Sequence, residues 1–457
     1  MDKSRDAAAK AIFDRVLKDI KPNAEEIKDL RHRINRLIGV LKSAVPKNVE
    51  IRVAGSMARG TNLKGDADID LFLLFNKGIS KDRLVKMGLE YGKKAAEISG
   101  GRYEIKYAEH PYIRLYADND ALKADLVPAS RIDDPEDMAT AVDRTPLHTE
   151  FINSHFNDRQ RDEVRLLKYL LKAHKIYGAE IRTGGFSGYM CELLVYHYGS
   201  IINTLDAAAR FSMPMALDPA SKKEITSPEV TKRFNSDFVV IDPVDKNRNA
   251  AAGVSKESVS RFSIVAKQFT DRPSIGQFYG REYSSTKVSG LLSKFSKDSG
   301  LDTFVMESSF PDKSEDIIFP QLRKVGRLIE DYLVRKGFVV YLSVQVIKGR
   351  RGALVFLAPQ QTLVSRMLKG PDVFVKNASQ QFMSMHKDAL GFTVTGSTIY
   401  ALERSEHPTI ETALRSIPRH MLVHKDIDLR KARVFKNSVP EVLKSELYAE
   451  LLKKTNI

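Results

Sequence analysis

Apolar residues recur at helical spacing through residues 4–45 (Ile27, Leu30, Ile34, Leu37, Ile38 and Leu41), which predicts two helices broken near Pro22 and Asn23. Asn23 with Glu26 three residues later supplies a capping box for the second. The period then changes. Val49–Ala54 is an apolar run, interrupted by Glu50 and Arg52 and predicted as a strand, that breaks at Gly55-Ser56. A polar segment carrying Arg59 and Gly65 follows, and a second apolar strand runs to Phe75 with Asp68 and Asp70 set into it. Side chains alternate across a strand, so both carboxylates point to one side while Ile69 and Leu71 point to the other.

Farther along, Ser80 to Ser99 is predicted as a helix with Ser80 as its N-cap. Three short strands follow at Tyr103–Glu109, Tyr112–Asp118 and Ala121–Pro128, and Asp134–Asp137 is expected as a surface loop. A long helix from Asp158 to Ile176 carries Val164, Leu167 and Leu171 on one face, edged by Lys168 and Lys172. A second long helix is expected from Ser187 to Arg210, entered through Gly184-Gly185. A strand at 239–242 ends in Asp242-Pro243, and Ser255 is placed as the N-cap of another helix. Residues 272–298 are rich in Ser, Lys, Gly and Tyr and are expected as a linker. Beyond it come a strand (Asp302–Phe310), a helix (Pro320–Lys336), a strand (Phe338–Ile347), a Lys-Gly-Arg-Arg-Gly turn at 348–352 and a strand (Ala353–Leu357). A helix at Asp372–His386, strands at Phe392–Thr395 and Thr398–Glu403, and three basic helical pieces from Thr409 to Lys454 complete the expectation.

Length and charge narrow the class. A chain of 457 residues exceeds one core and is divided here into residues 1–155, 156–272 and 273–457. Its net charge of +15 points to a polyanionic partner, nucleic acid first. A single cysteine, Cys191, excludes a disulfide framework and a cysteine-based zinc site, and its apolar helical setting makes it a core residue. The N-terminus is charged from Asp2 onward, and no apolar run approaches the roughly 20 residues a membrane span needs. Those features set the expectation of a cytoplasmic protein with no membrane partner.

Two like charges on one strand face repel, so a cation between them is the expected remedy, and an all-oxygen donor set suits Mg²⁺. A bare Asp-x-Asp is more often a pair of solvated carboxylates. Here the pair lies in a strand too apolar for a solvated edge, one loop after Gly55-Ser56, whose backbone N–H groups can hold phosphate oxygens. Neither G-x-x-x-x-G-K-[ST] nor G-x-G-x-x-G is present in this region. Residues alone therefore lead to an RNA-directed nucleotidyltransferase.

The run G-S-x-A-R-G-T-x-L-x-G-x-x-D-I-D-x-F, beginning at Gly55, resembles the signature of the DNA polymerase β-like nucleotidyltransferases, and more narrowly that of the archaeal class I CCA-adding enzymes. Stretches 107–116, 141–151, 163–200 and 239–252 extend the resemblance over at least the first 270 residues. Asp68 stands where some members carry Glu, which leaves a carboxylate in place. The resemblance implies an α+β architecture with a nucleotidyltransferase head, a helical central domain and a C-terminal α/β body with a helical tail. It implies Asp68, Asp70 and Asp125 as catalytic residues and Mg²⁺ ligands. Asp125 is also the aspartate after Asp70 that sits in a strand context, and two-metal transfer needs a third carboxylate. Arg59, His148, Lys168 and Tyr177 are implied as the triphosphate cradle beside Gly55 and Ser56, and Arg248 as a reader of the incoming base. Taken singly, His148 is more often structural, Lys168 a solvated helix edge, and Arg248 a surface loop residue.

The implied activity is addition of C, C and A to the 3′ end and acceptor stem of tRNA from CTP and ATP, with repair of truncated ends; a homodimer is left open. Two rivals stand beside it. One is another transferase on the same head, a poly(A) polymerase or an oligoadenylate synthetase, and the other a non-catalytic RNA-binding protein on this fold.

Overall fold

The computed structural model describes residues 3–66, 68–107, 111–118, 122–132, 134–138, 140–225, 228–280 and 296–455. Most of the expected linker at 272–298, and the ends of the strands predicted at Tyr103–Glu109 and Ala121–Pro128, lie outside the described residues. The chain divides into two compact units, Met1–Arg281 and Glu282–Asn456.

The first unit opens with helices α1 (Lys3–Ile20) and α2 (Ala24–Ala44). The Asn23–Glu26 capping box is formed in both directions, so the break expected at Pro22-Asn23 is real. A five-stranded sheet follows, built from β1 (Glu50–Ala54), β2 (Asp68–Phe75), β3 (Arg102–Tyr107), β4 (Pro111–Ala117) and β5 (Leu122–Ser130) in the order β1-β2-β5-β4-β3. β2 and β5 are parallel, and the other pairs are antiparallel. Between β1 and β2 the expected phosphate loop is instead a short helix, α3 (Gly55–Arg59). Helix α4 (Lys81–Ser99) packs on β4 and β5, and with α2 it covers one face of the sheet around Ile69, Leu71, Ile113 and Leu126. Ser80 does stand at its N-cap, but its side chain makes no capping bond.

The second layer of this unit is helical: α5 (Arg144–His155), α6 (Asp158–Ala173), α7 (Gly188–Tyr198) and α8 (Ile201–Ala208). The single helix expected over 187–210 is two, because Gly199 adopts a left-handed φ of 83° and Ser200 caps a new start by accepting from the Asn203 N–H. Strands β6 (Met215–Asp218), β7 (Lys223–Ile225) and β8 (Phe238–Val240) form a small sheet around α9 (Pro228–Arg233). Helix α10 (Lys256–Asp271) is capped by Ser255 as expected. Phe13, Leu167, Leu171, Leu194 and Phe262 share one core here, so α1 belongs to this layer. Cys191 is wholly buried in it, as expected.

The second unit is a sheet of β9 (Leu301–Ser309), β10 (Leu342–Lys348) and β11 (Arg351–Pro359) in the order β10-β11-β9, with Arg433–Lys436 added beside β9. A helix at Glu315–Arg335 packs on it. That helix starts five residues before the expected Pro320, since Ser314 caps it and the proline is carried inside. A separate antiparallel sheet joins β12 (Ser365–Asp372), which was not anticipated, to β13 (Gly391–Thr395) and β14 (Thr398–Arg404). The helix expected at 372–386 shrinks to Ala378–Met385. The three helical pieces after Thr409 are corrected as well: helices at Ile410–Arg415 and Glu441–Thr455 flank a two-strand hairpin and the added strand. Among the described residues no helix is long and apolar enough to cross a membrane.

Candidate active site

The centre lies where β2, β5 and β4 run side by side. Asp68 is exposed, Ile69 and Leu71 are buried, and Asp70 is half-buried, so the strand alternation puts both aspartates on the face away from the apolar core. In the parallel pairing Asp70 stands opposite Asp125. In the next ladder Asp125 stands opposite Arg114. Arg114 grips Asp125 with both arms, Nε to Oδ1 at 2.6 Å and Nη2 to Oδ2 at 2.7 Å. Arg114 was not singled out in the sequence. Its signal was a cation at an outward position of an otherwise apolar strand.

Among the described residues no cation pairs with Asp70 in this way. Burial, then the charge of Asp125 and more weakly that of Asp68, push its carboxyl up to about 6, while Arg59 and Arg114 pull the other way. Gly55 presses against it, and a Cβ at position 55 would lie 1.9 Å from Asp70 Oδ2. As they stand, no three His, Cys, Asp or Glu side chains among the described residues converge closely enough to enclose a metal ion. The donor set still fits a hard divalent cation: every group offered is a carboxylate oxygen, and the paired, under-compensated charge on Asp70 and Asp125 is what such an ion relieves.

A second cluster gathers Arg59, Lys168 and Tyr177 around a residue the sequence reading passed over, Glu192. This carboxylate on α7 is wholly buried. Arg59 Nε straddles its two oxygens at 3.0 and 2.9 Å, and the Thr61 hydroxyl donates to Oε1 at 2.6 Å. Lys168 Nζ lies 3.6 Å from Oε1 and donates to the Thr61 carbonyl and hydroxyl at 3.1 and 3.0 Å. Lys168 is therefore no solvated helix edge, whereas Lys172 is, its side chain half exposed and paired with Asp66. Burial lowers the Lys168 ammonium pKa. Burial pulls Glu192 up, but Arg59 and Lys168 outweigh it and leave the carboxyl below its usual range. Tyr177 borders the same pocket: Lys168 Nζ and the Tyr177 hydroxyl both lie 3.3 Å from where a Gly188 Cβ would be. A charged residue inside Met-Cys-Glu-Leu-Leu was the available clue to Glu192.

His148 and Arg248 meet in a third cluster, at Asp242, just beyond β8. Arg248 Nη1 donates to Asp242 Oδ2 at 2.7 Å, and His148 Nε2 bonds the same oxygen at 2.9 Å. The Tyr189 hydroxyl donates to Oδ1 at 2.9 Å, and its ring stacks on His148 with centroids 3.9 Å apart. Burial lowers the His148 pKa. Arg59 links the clusters, since its charge is felt by both Asp70 and His148. Of the residues expected in the site, Arg59, Lys168 and Tyr177 thus come together, His148 and Arg248 come together, and Asp68 and Asp70 share a face beside Asp125. Ser56 lies in the first turn of α3, next to Gly55.

Three family profiles match the chain: "Nucleotidyltransferase domain" at residues 34–148, "tRNA nucleotidyltransferase, second domain" at 162–279, and "CCA-adding enzyme, C-terminal domain" at 300–428. A CCA-adding enzyme of Methanocaldococcus jannaschii is 36% identical over 384 residues, covering 82% of this chain and 84% of that protein. One of Archaeoglobus fulgidus is 33% identical over 414 residues, covering 89% and 88%. Among solved structures, a poly(U) polymerase is similar over 61% of this chain and 99% of its own, at 16% identity and a TM-score of 0.49.

Proposed function

The chain belongs to the CCA-adding enzymes, with a polymerase β-like nucleotidyltransferase head, and from that premise we propose how its residues add C, C and A to tRNA. The observation that carries the proposal is the pairing of Asp70 with Asp125 in register on adjacent parallel strands, with Asp70 pushed up to about 6 by burial and like charge. We assign Asp68, Asp70 and Asp125 as the carboxylates that hold Mg²⁺. When bound, that ion supplies Lewis acidity, favouring loss of the tRNA 3′-hydroxyl proton and offsetting triphosphate charge.

The chain's own residues do the rest. Gly55 and Ser56 offer backbone N–H groups to the phosphates, and Arg59, His148, Lys168 and Tyr177 line the same cradle. Arg can grip phosphate oxygens bidentately, while Lys acts as a point charge. Arg248 presents guanidinium donors to the base of CTP or ATP. The 3′-oxygen attacks the α-phosphorus in line, a new P–O bond forms, and the bond to the bridging oxygen breaks to release pyrophosphate. We further assign residues 1–155 to the catalytic head, 156–272 to nucleotide and tRNA binding, and 273–457 to a tRNA-binding body. Separate apolar cores lie behind the five-stranded sheet and among the helices, although α1, Leu63 and Ile152 of α5 pack with the helices.

The test uses tRNA lacking its 3′ end, Mg²⁺ and each labelled nucleotide in turn. Two C and one A, added in that order and then stopping, are expected. A long homopolymer or incorporation of U or G would overturn the assignment of substrates.

A further inference from the structure

We propose that Asp242 is the positioning residue for base selection: it pins one guanidinium nitrogen of Arg248 and so fixes which donors reach the incoming base. This rests on the reading that Arg248 meets that base.

The carboxylate is wholly buried and its acceptor capacity is filled. Oδ2 takes Arg248 Nη1 at 2.7 Å and His148 Nε2 at 2.9 Å, and Oδ1 takes the Tyr189 hydroxyl at 2.9 Å and the Val244 N–H at 3.1 Å. The loop that carries Arg248 is closed on itself. The Asp242 N–H donates to the Arg248 carbonyl at 3.1 Å, and the Arg248 N–H donates to the Asp245 carbonyl at 2.9 Å. Arg144 holds Asp245 from α5 at 2.8 Å, and Asn249 Oδ1 accepts the N–H groups of Val240 and Ala251, each at 2.9 Å. The root of Arg248 therefore cannot swing, and Asp242 removes the freedom of its tip. Its side chain remains 33% exposed, so part of it is within reach of a ligand.

A base offers its pattern of acceptors and donors along one edge. An arginine free to rotate would satisfy several such edges, whereas one with a nitrogen already committed presents a fixed pair of donors. The same carboxylate also holds His148 Nε2 at 2.9 Å. An amide at position 242 keeps the shape but offers one acceptor oxygen and turns an NH₂ towards donors. Its NH₂ displaces either Arg248 and His148 or the Val244 N–H, since the Tyr189 hydroxyl can turn to accept.

The experiment compares kcat/KM for CTP and for UTP in the intact protein, its Asp242→Asn variant and its Arg248→Ala variant, with inorganic triphosphate as a competitive inhibitor. A fall of at least about tenfold in the CTP-to-UTP ratio of Asp242→Asn is expected, beyond any weakening of triphosphate inhibition through His148, which shifts both nucleotides alike. A purely structural role would slow both nucleotides alike and leave the ratio intact, which overturns the inference. If Arg248→Ala keeps its selectivity, the base-reading premise fails and the inference fails with it. If Arg248→Ala loses selectivity while Asp242→Asn keeps it, only the inference falls. Should Asp242→Asn lose its cooperative melting, Asp242→Glu keeps the charge and shifts the carboxylate by one methylene; a lowered ratio then supports the positioning role and an unchanged ratio overturns it.

Discussion

Arg114 and Asp125 face each other across adjacent strands and share two hydrogen bonds of 2.6 and 2.7 Å, so the third carboxylate of the site already has a cation on both its oxygens. On the assignment proposed above, an incoming metal ion and Arg114 would compete for the same acceptors. Replacing Arg114 by Gln should strengthen Mn²⁺ binding, read by paramagnetic resonance titration, because a positive neighbour is gone. Turnover should nevertheless fall by about ten- to a hundredfold, since Asp125 loses the fork that orients it. Weaker Mn²⁺ binding in this variant would show that Arg114 builds the site and does not compete for it.

Asp68, Asp70 and Asp125 are expected to act as one unit. Changing any one to Asn should lower single-turnover CMP addition by roughly a thousandfold or more, and a double variant should be barely worse than either single one. Binding of tRNA, measured by filter retention, should stay within a few-fold. Near-normal addition by Asp125→Asn would falsify the three-carboxylate assignment.

Glu192 is the counter-charge that lets Arg59 and Lys168 remain buried. Glu192→Ala should cost about 3–5 kcal/mol in urea unfolding, because it leaves uncompensated cations in the interior. Glu192→Gln keeps the shape and the Thr61 hydrogen bond and should cost less. A near-neutral Glu192→Gln beside a costly Glu192→Ala would mean that packing, not charge, is what matters at this position.

Acid should act through Asp242. Hydrogen bonds and charge from His148 and Arg248 outweigh its burial and hold its pKa at about 2, below the usual 3.8. A carboxyl lowered by folding stabilises the native state above its unfolded pKa, and that contribution is lost as pH falls through the folded value. The window here runs from about pH 4 down to about pH 2, and the contribution is about 2 kcal/mol. Stability measured against pH should drop more steeply across that window in the parent protein than in Asp242→Asn.

Local signals were legible in the sequence and cross-strand ones were not. The Asn23–Glu26 box, the Ser255 cap and the facing of Asp68 and Asp70 each depend on neighbours within a few residues, and each appears as read. The pairing of Arg114 with Asp125 depends on a register between strands, which no local period encodes. Glu192 was hidden for a related reason. A single charge in an apolar helix looks like an exception until Arg59, 133 positions away, is found against it. Gly199 was the misjudged local signal: a glycine followed by serine ends one helix and caps the next, and the apolar pattern alone runs straight through.

The bare Cα at Gly55 also limits how this gene can drift. Any replacement of this glycine introduces a Cβ, and even the smallest, alanine, would set that carbon 1.9 Å from Asp70 Oδ2 on a backbone already at a φ of 69°. Room at 55 appears only if the Asp70 carboxylate leaves its place against the glycine. A replacement at either position therefore disturbs the other. The two positions are locked together in inheritance as they are in space, and a saturation library at position 55 should return glycine alone among active clones.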